Sequence, residues 1–458
     1  MAAANAVAPR LDLARETRKI ALVSGIGTAI DYYDFAVTGL LSATIWPTLF
    51  FPKGSFAASF ATSTAVTVGI TFGMRPVGAI LFGHFGDKIG RKNTLIATLV
   101  LAALGTLGIA IAPTYATAGF LGIGVILFCR ALFGLAMGGE MGGALSWVTE
   151  TATAAKSGRR GFATGSLGIF AGIGVICSAL TVLVVSNLMP AGAYTDWGWR
   201  VVVFIAVVIL IVGAIARYWV IESPLFTEMK KKGSDIRKGF PIVQVLKERW
   251  AMVFILPFIC VAGTTLANLN NTFLAGYLVA SKAPYYSLNF YYVASVGAGV
   301  AVLVSSAVMA YWSDTLGRKV ALLVALAAVL VVAPLAFLGM LPSGVGGIVI
   351  FAPFLLALPV GAQGAFFPLF AESYPTRYRQ TAAGLTYQMS NLYEAVLFVW
   401  VLPWIYGGWG LVNSLVPLTV LCVAFAVVGM FALWYARETR DAPETDSPVL
   451  AAPQTDGL

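Results

Sequence analysis

The 458-residue sequence is poor in charge: 11% of its residues are Asp, Glu, Lys or Arg while 59% are hydrophobic, and a soluble domain carries roughly a quarter charged residues. No globular packing hides that much apolar surface, so the solvent is lipid. Histidine occurs once and cysteine four times. Cys129, Cys177, Cys260 and Cys422 stand singly within apolar runs, without the paired spacing of a metal site or a disulfide framework, so no metal and no cofactor is expected. Neither Gly-x-Ser-x-Gly nor His-Glu-x-x-His occurs, and a single histidine leaves little from which to assemble acid, base and nucleophile, so an enzyme is not expected. The period-two alternation of membrane-barrel strands, over segments of ~10 residues, is absent as well.

What the sequence has is long apolar runs, among them Thr94 to Ala112, Val201 to Ala216 and Val320 to Met340, which approach or reach the ~20 residues that cross a bilayer as helix. An all-α membrane protein of twelve transmembrane helices follows, near residues 20–46, 57–83, 94–112, 116–149, 161–186, 197–221, 250–281, 286–312, 319–340, 344–372, 380–406 and 409–437. The N-terminus, the loops after even-numbered helices and the C-terminus hold 24 of the 29 Lys and Arg; only Lys53 and Lys282 lie in loops on the other side. Positive loops inside place both termini in the cytoplasm of a cell inner membrane. The net charge of +9 therefore reports topology and not nucleic-acid binding. Arg10, Arg15 and Arg18 precede the first run without the apolar core of a cleaved leader, so that run is expected to remain as an anchor. The chain divides into a bundle over 1–221, a polar cytoplasmic linker over 222–249 with room for a surface helix, a bundle over 250–437, and a tail over 438–458 whose composition reads as disordered.

One internal repeat sets the architecture. Gly83-His-Phe-Gly-Asp87-Lys-Ile-Gly90-Arg91-Lys92 is echoed by Ala310-Tyr-Trp-Ser-Asp314-Thr-Leu-Gly317-Arg318-Lys319, with Asp, Gly, Arg and Lys each displaced by 227 positions. Two pseudo-symmetric six-helix bundles follow, of the kind that rock about a central cavity. A channel would need a filter or pore-lining rings from several subunits. A transporter acting as a monomer on a small-molecule substrate fits better.

The loop Gly83 to Lys92 resembles the pattern Gly-x-x-x-Asp-basic-x-Gly-Arg-basic of the major facilitator superfamily. Within it the chain is most similar to the metabolite:proton symporters, on Gly27-Thr-Ala-Ile-Asp31-Tyr-Tyr-Asp34-Phe35, Arg75-Pro-Val-Gly78, Arg130 with Gly138-Gly-Glu140-Met-Gly-Gly143, and Glu222-Ser-Pro-Leu-Phe226. The first half carries the likeness densely and the second thinly. The resemblance implies proton-coupled uptake of a small organic metabolite, an organic acid first and a zwitterionic osmolyte or amino-acid-like solute as the alternative, with a proton-independent facilitator behind them. Helix 5 has no proline between Gly161 and Ser186, which argues against an antiporter. Glu394 in helix 11 lies outside the family pattern.

Charged side chains at mid-membrane cost at least ~2.5 to 3.5 kcal/mol, so each is a functional candidate. At ~1.5 Å per residue, Asp31 lies about 18 Å from Lys19, Arg75 about 18 Å from Asp87, Glu140 about 15 Å from Glu150 and Glu394 about 22 Å from Arg379 along their helices, all near the midplane. Four acids, Asp31, Asp34, Glu140 and Glu394, face two bases, Arg75 and Arg130, so at least one acid is expected to hold a proton during part of a cycle. The four acids are the candidate proton sites. Arg75 and Arg130 are the candidate anion contacts, with Tyr33, Asn268, Asn271, Gln363, Gln388 and Tyr387 as polar substrate contacts. Protonation in the Asp31, Asp34, Glu140 cluster is expected to free an arginine for a substrate carboxylate. Asp87, Gly90, Arg91, Glu150 and Arg160 in the first half, with Asp314, Arg318, Glu372 and Arg377 in the second, form an expected cytoplasmic gate. His84 is read as interfacial. Gly134, Gly138 and Gly142 on helix 4, with Gly161, Gly165, Gly168 and Gly172 on helix 5, are read as packing positions that let helices approach closely.

Overall fold

The structure, a computed structural model, describes residues 2–51, 56–155, 158–190, 192–219, 222, 227, 240–281 and 288–440. Eleven helices among them are long and apolar enough to cross a bilayer: α1 (Arg15–Thr44), α2 (Thr62–Ile89), α3 (Arg91–Ala110), α4 (Phe120–Ala154), α5 (Arg160–Leu188), α6 (Tyr194–Tyr218), α8 (Asn289–Thr315), α9 (Arg318–Ser343), α10 (Ala352–Glu372), α11 (Thr376–Asn413) and α12 (Leu415–Tyr435). A bent pair, Pro241–Ile255 with Phe258–Asn271, supplies α7. No strand occurs among the described residues. Lys53, Lys282, most of the expected linker and the tail from residue 441 onward lie outside the described residues.

The seventh helix differs from the unbroken run expected over 250–281. It starts earlier, leaves helical geometry at Arg249, bends by 49° after Ile255 and, after a break at Thr272, continues as Phe273–Ala280 to the end expected of it. Pro257 accounts for the bend, because it donates no backbone hydrogen bond and its ring crowds the preceding turn. A second adjustment lies in α11, where Leu397–Val401 forms a π turn directly ahead of Pro403. The turn widens the helix just past Glu394.

Within the first bundle α2 and α3 pack on α4, α1 on α5, and α3 on α6; within the second α7 and α9 pack on α12, and α8 on α10. Two seams join the bundles, α2 and α4 against α11 on one side and α5 against α8 on the other. Glycine makes these seams close. A Cβ on Gly142 of α4 would stand 2.8 Å from the Cα of Gly384 on α11, and one on Gly172 of α5 would stand 2.5 Å from the Leu303 backbone nitrogen on α8. In lipid no hydrophobic drive pulls helices together, so such backbone approach supplies the association energy.

Candidate functional site

A cavity lies between the bundles, at the level of the acids and bases expected near the midplane. From the first bundle come Asp31, Tyr32 and Phe35 of α1 with Phe72 and Arg75 of α2; from the second come Thr264 and Asn268 of α7, Val360 of α10, and Tyr387, Asn391 and Glu394 of α11. Residues 31, 32 and 35 share one α1 face by the three- and four-residue spacing of a helix. Arg75 holds Asp31 in a two-pronged pair, Nη2 to Oδ1 at 2.6 Å and Nη1 to Oδ2 at 3.1 Å. The Arg75 guanidinium also lies 5.3 Å from the centre of the Phe72 ring, and Phe72 stacks on Phe35 at 5.9 Å.

Opposite this pair stands Glu394. The Asn268 side-chain amide donates to its Oε2, its Oε1 has no hydrogen-bond partner, and no cation lies within ion-pair reach of it among the described residues. The Tyr32 hydroxyl donates to Gln363 Oε1 at 2.8 Å and lies 3.5 Å from the Tyr387 hydroxyl. The Gln363 amide in turn donates to the Gly168 carbonyl and the Ser306 hydroxyl. Gln363 thereby ties α1 and α5 to α8 and α10.

The remaining expected residues fall elsewhere. Asp34 pairs with Arg130, at 2.9 and 3.0 Å, inside the first bundle and off the cavity lining. Glu140 is held by Arg217, through Nη1 to Oε2 at 2.6 Å and a second prong from Nη2, with the Thr98 hydroxyl donating to Oε2 at 3.0 Å. Asp31, Asp34 and Glu140 therefore each serve a separate arginine. Tyr33 points away from the cavity, its hydroxyl donating to the Val202 carbonyl of α6; its neighbour Tyr32 takes the place expected of it. Asn271 lies at a second, smaller cavity beside Tyr291 and Tyr292. Gln388 donates to the Met137 and Gly138 carbonyls across the α4–α11 seam and accepts from Asn391. Asn268 and Tyr387 line the cavity, as expected of substrate contacts.

The count of two intramembrane bases needs correction. Arg217 is fully buried in the last turn of α6. With it, three guanidinium groups face four carboxylates, and the acid left over is Glu394.

The basic end of the molecule is closed by two matched latches. Asp87 accepts from the Gln380 and Thr381 amides and, at 2.6 Å, from the Thr381 hydroxyl at the start of α11. Asp314 accepts from the Gly161 and Phe162 amides at the start of α5, at 3.1 and 2.7 Å. Each Asp thus caps a helix of the other bundle. Arg91 bridges Asp87 and Glu150, and Arg318 bridges Asp314 and Glu372. Arg160 reaches Glu372 at 2.9 Å. Gly90 and Gly317 hold φ of 129° and 104° with ψ near 157°, a region open essentially to glycine alone. Arg377 departs from the expected gate: it pairs with Glu248 in the first segment of α7, both half exposed, while Arg379 approaches Glu150 at 3.8 Å.

Sequence reading missed a second layer. Glu222 accepts from the Arg91 and Lys92 amides, and Glu438 from the Arg318 and Lys319 amides, so an acid following α6 and another following α12 seat the starts of α3 and α9. The tail expected from residue 438 is accordingly held through Glu438, Thr439 and Arg440, whose last two carbonyls accept from Arg160.

Comparison with known proteins agrees with this arrangement. The family model of the Major Facilitator Superfamily matches residues 26–396. The inner membrane metabolite transport protein YhjE of Escherichia coli K12 is 30% identical over 433 residues, 92% of this chain and 94% of that one. A proline/betaine transporter of the same organism is 27% identical over 93% of this chain and 84% of its own length. The solved structure of the E. coli xylose transporter XylE in a partially occluded inward-open conformation shares the fold with a TM-score of 0.71 at 16% identity, covering 94% of this chain and all of that one. With two six-helix bundles, twin latches and a family model spanning most of its length, this multi-pass membrane protein is a metabolite transporter, not an enzyme, and belongs to the Major Facilitator Superfamily.

Proposed function

We propose that this protein is a proton-coupled symporter of the inner membrane, that Arg75 binds the carboxylate of a small organic acid, and that Glu394 carries the coupled proton. The observation that supports it best is the unequal state of the four intramembrane acids: three are matched by guanidinium groups, while Glu394 faces the cavity with one oxygen unpartnered. An ionised carboxylate at mid-membrane costs at least ~2.5 kcal/mol, a cost that taking up a proton removes. Arg75 presents a planar fork suited to carboxylate, and Asp31 occupies that fork while the site waits. A substrate carboxylate displaces Asp31, and the bodies 1–221 and 250–437 rock about the cavity as the latches part. The latched end is taken as cytoplasmic from its excess of Lys and Arg.

The test is uptake into proteoliposomes of a panel of carboxylates, betaines and amino acids, with and without an inward proton gradient. Uptake in the wild type should rise with the gradient, and Glu394→Gln should abolish that stimulation while keeping substrate exchange at equilibrium. Wild-type uptake indifferent to the gradient rejects symport. A second reading rests on the cavity's formal charge: Arg75, Asp31 and Glu394 leave one negative charge in excess, which suits the cationic end of a zwitterion set against Phe35 and Phe72, and one relative is a proline/betaine transporter. In that case Glu394→Gln should also lose equilibrium exchange of betaine, because the carboxylate is then a substrate contact.

A further inference from the structure

A third cavity takes no part in this scheme. It lies at the basic end of the first bundle, where α1 and α5 meet the end of α4. Arg18, Arg159, Thr17 and Ser166 give it a polar lining, and among the described residues no carboxylate lines it. The rest of its lining is apolar, with Leu22, Phe162 and Phe170 the largest side chains. Leu22 is 55% and Phe162 37% exposed on helices that read as membrane spans, so lipid chains are the medium that covers them. Two cations near headgroup level in one cleft with an apolar lining match one chemistry, a phosphodiester carrying an acyl chain.

We infer that this cleft binds an anionic glycerophospholipid, its phosphate between Arg18 and Arg159 and one acyl chain along Leu22, Phe162 and Phe170. The position couples it to the gate. Arg159 precedes Arg160, which reaches Glu372, and the Gly161 and Phe162 amides are the ones that Asp314 caps. A lipid fixing this turn favours the latched conformer, and by reciprocity the latched conformer binds the lipid more tightly.

The experiment is native mass spectrometry of the full chain in mild detergent with added palmitoyl-oleoyl phosphatidylglycerol, the matching phosphatidylcholine, or glycerol 3-phosphate. Phosphatidylglycerol should be retained at least tenfold over phosphatidylcholine, and glycerol 3-phosphate should neither bind nor displace it. The double variant Arg18→Gln with Arg159→Gln should lose that selectivity, whereas Lys247→Gln, a basic residue outside the cleft, should keep it. Ala163→Trp fills the cleft without touching charge and should lower retention severalfold. Asp314→Asn, which loosens the cap on the Gly161 and Phe162 amides although Asp314 itself does not line the cleft, should lower it too. Equal retention of the two lipids, unchanged selectivity in the double arginine variant, displacement by glycerol 3-phosphate, or an equal loss in Lys247→Gln overturns the site. Unchanged retention in Asp314→Asn overturns its coupling to the latch.

Discussion

Asp34 and Arg130 are both nine-tenths or more buried, face each other through two hydrogen bonds and stand off the cavity. Removing one member of such a pair strands a charge and costs ~3–5 kcal/mol, whereas removing both is often close to neutral. Asp34→Asn should therefore lower the thermal midpoint strongly, and Asp34→Asn with Arg130→Met should recover much of it. If the double variant keeps gradient-driven uptake, Asp34 is a structural partner; recovered stability with uncoupled uptake would return it to the proton path. The sequence disclosed the four intramembrane acids and two of the three bases that meet them, but not which of them pair. Arg217 escaped because it directly follows the apolar run Val201 to Ala216 and reads as a loop cation. Side chains on a helix tilt toward its N-terminus, and α6 runs toward the basic end, so Arg217 reaches back into the bilayer to Glu140. Tyr32 and Tyr33 differ by one position, about 100° of helix rotation, and nothing local tells which of two tyrosines faces a neighbour and which the cavity.

At the level of elements, the repeat foretold both latches, because an Asp-x-x-Gly-Arg-Lys turn needs its glycine backbone and its cap wherever it occurs. What each Asp would cap was not legible: the starts of α5 and α11 are remote in sequence and carry no capping motif of their own. Glu438 closes the second latch from outside the spans. Burial raises its carboxyl pKa, but the amides of Lys319, Arg440, Arg318 and Thr439 lower it further, to below the ordinary glutamate value. A depressed folded-state value means a stabilising contribution present above the unfolded pKa and lost as pH falls through the folded one. Glu438→Gln should therefore have a lower thermal midpoint than the wild type at pH 7. The two curves should converge as pH falls below the ordinary glutamate value and through the depressed folded-state one. A gap that persists at low pH would mean that shape and not charge seats the start of α9.

For the whole molecule, the seam glycines tie packing to conformation. A Cβ on Gly165 of α5 would stand 2.1 Å from the Gly364 carbonyl oxygen of α10, so a large side chain there cannot coexist with the latched basic end. The obstacle is backbone, which cannot swing aside as a side chain would. It is relieved only by moving one bundle from the other, and the latches lie at the same end of α5. Gly165→Leu should thus raise the free energy of the latched conformer by more than the latches' charge-assisted hydrogen bonds, each ~1.5–3 kcal/mol, can restore. The population then shifts toward separation at the basic end. Spin labels at Ile89 and Leu316, repeat-related positions that are both exposed, report this directly by electron–electron distance measurement once the exposed Cys177 is replaced by Ser. The distance distribution should lengthen by several ångström in Gly165→Leu, and uptake from the opposite face should fall. An unchanged distribution in a folded variant would mean that the α5–α8 seam yields locally, leaving the opening of the basic end to the α2–α11 side alone.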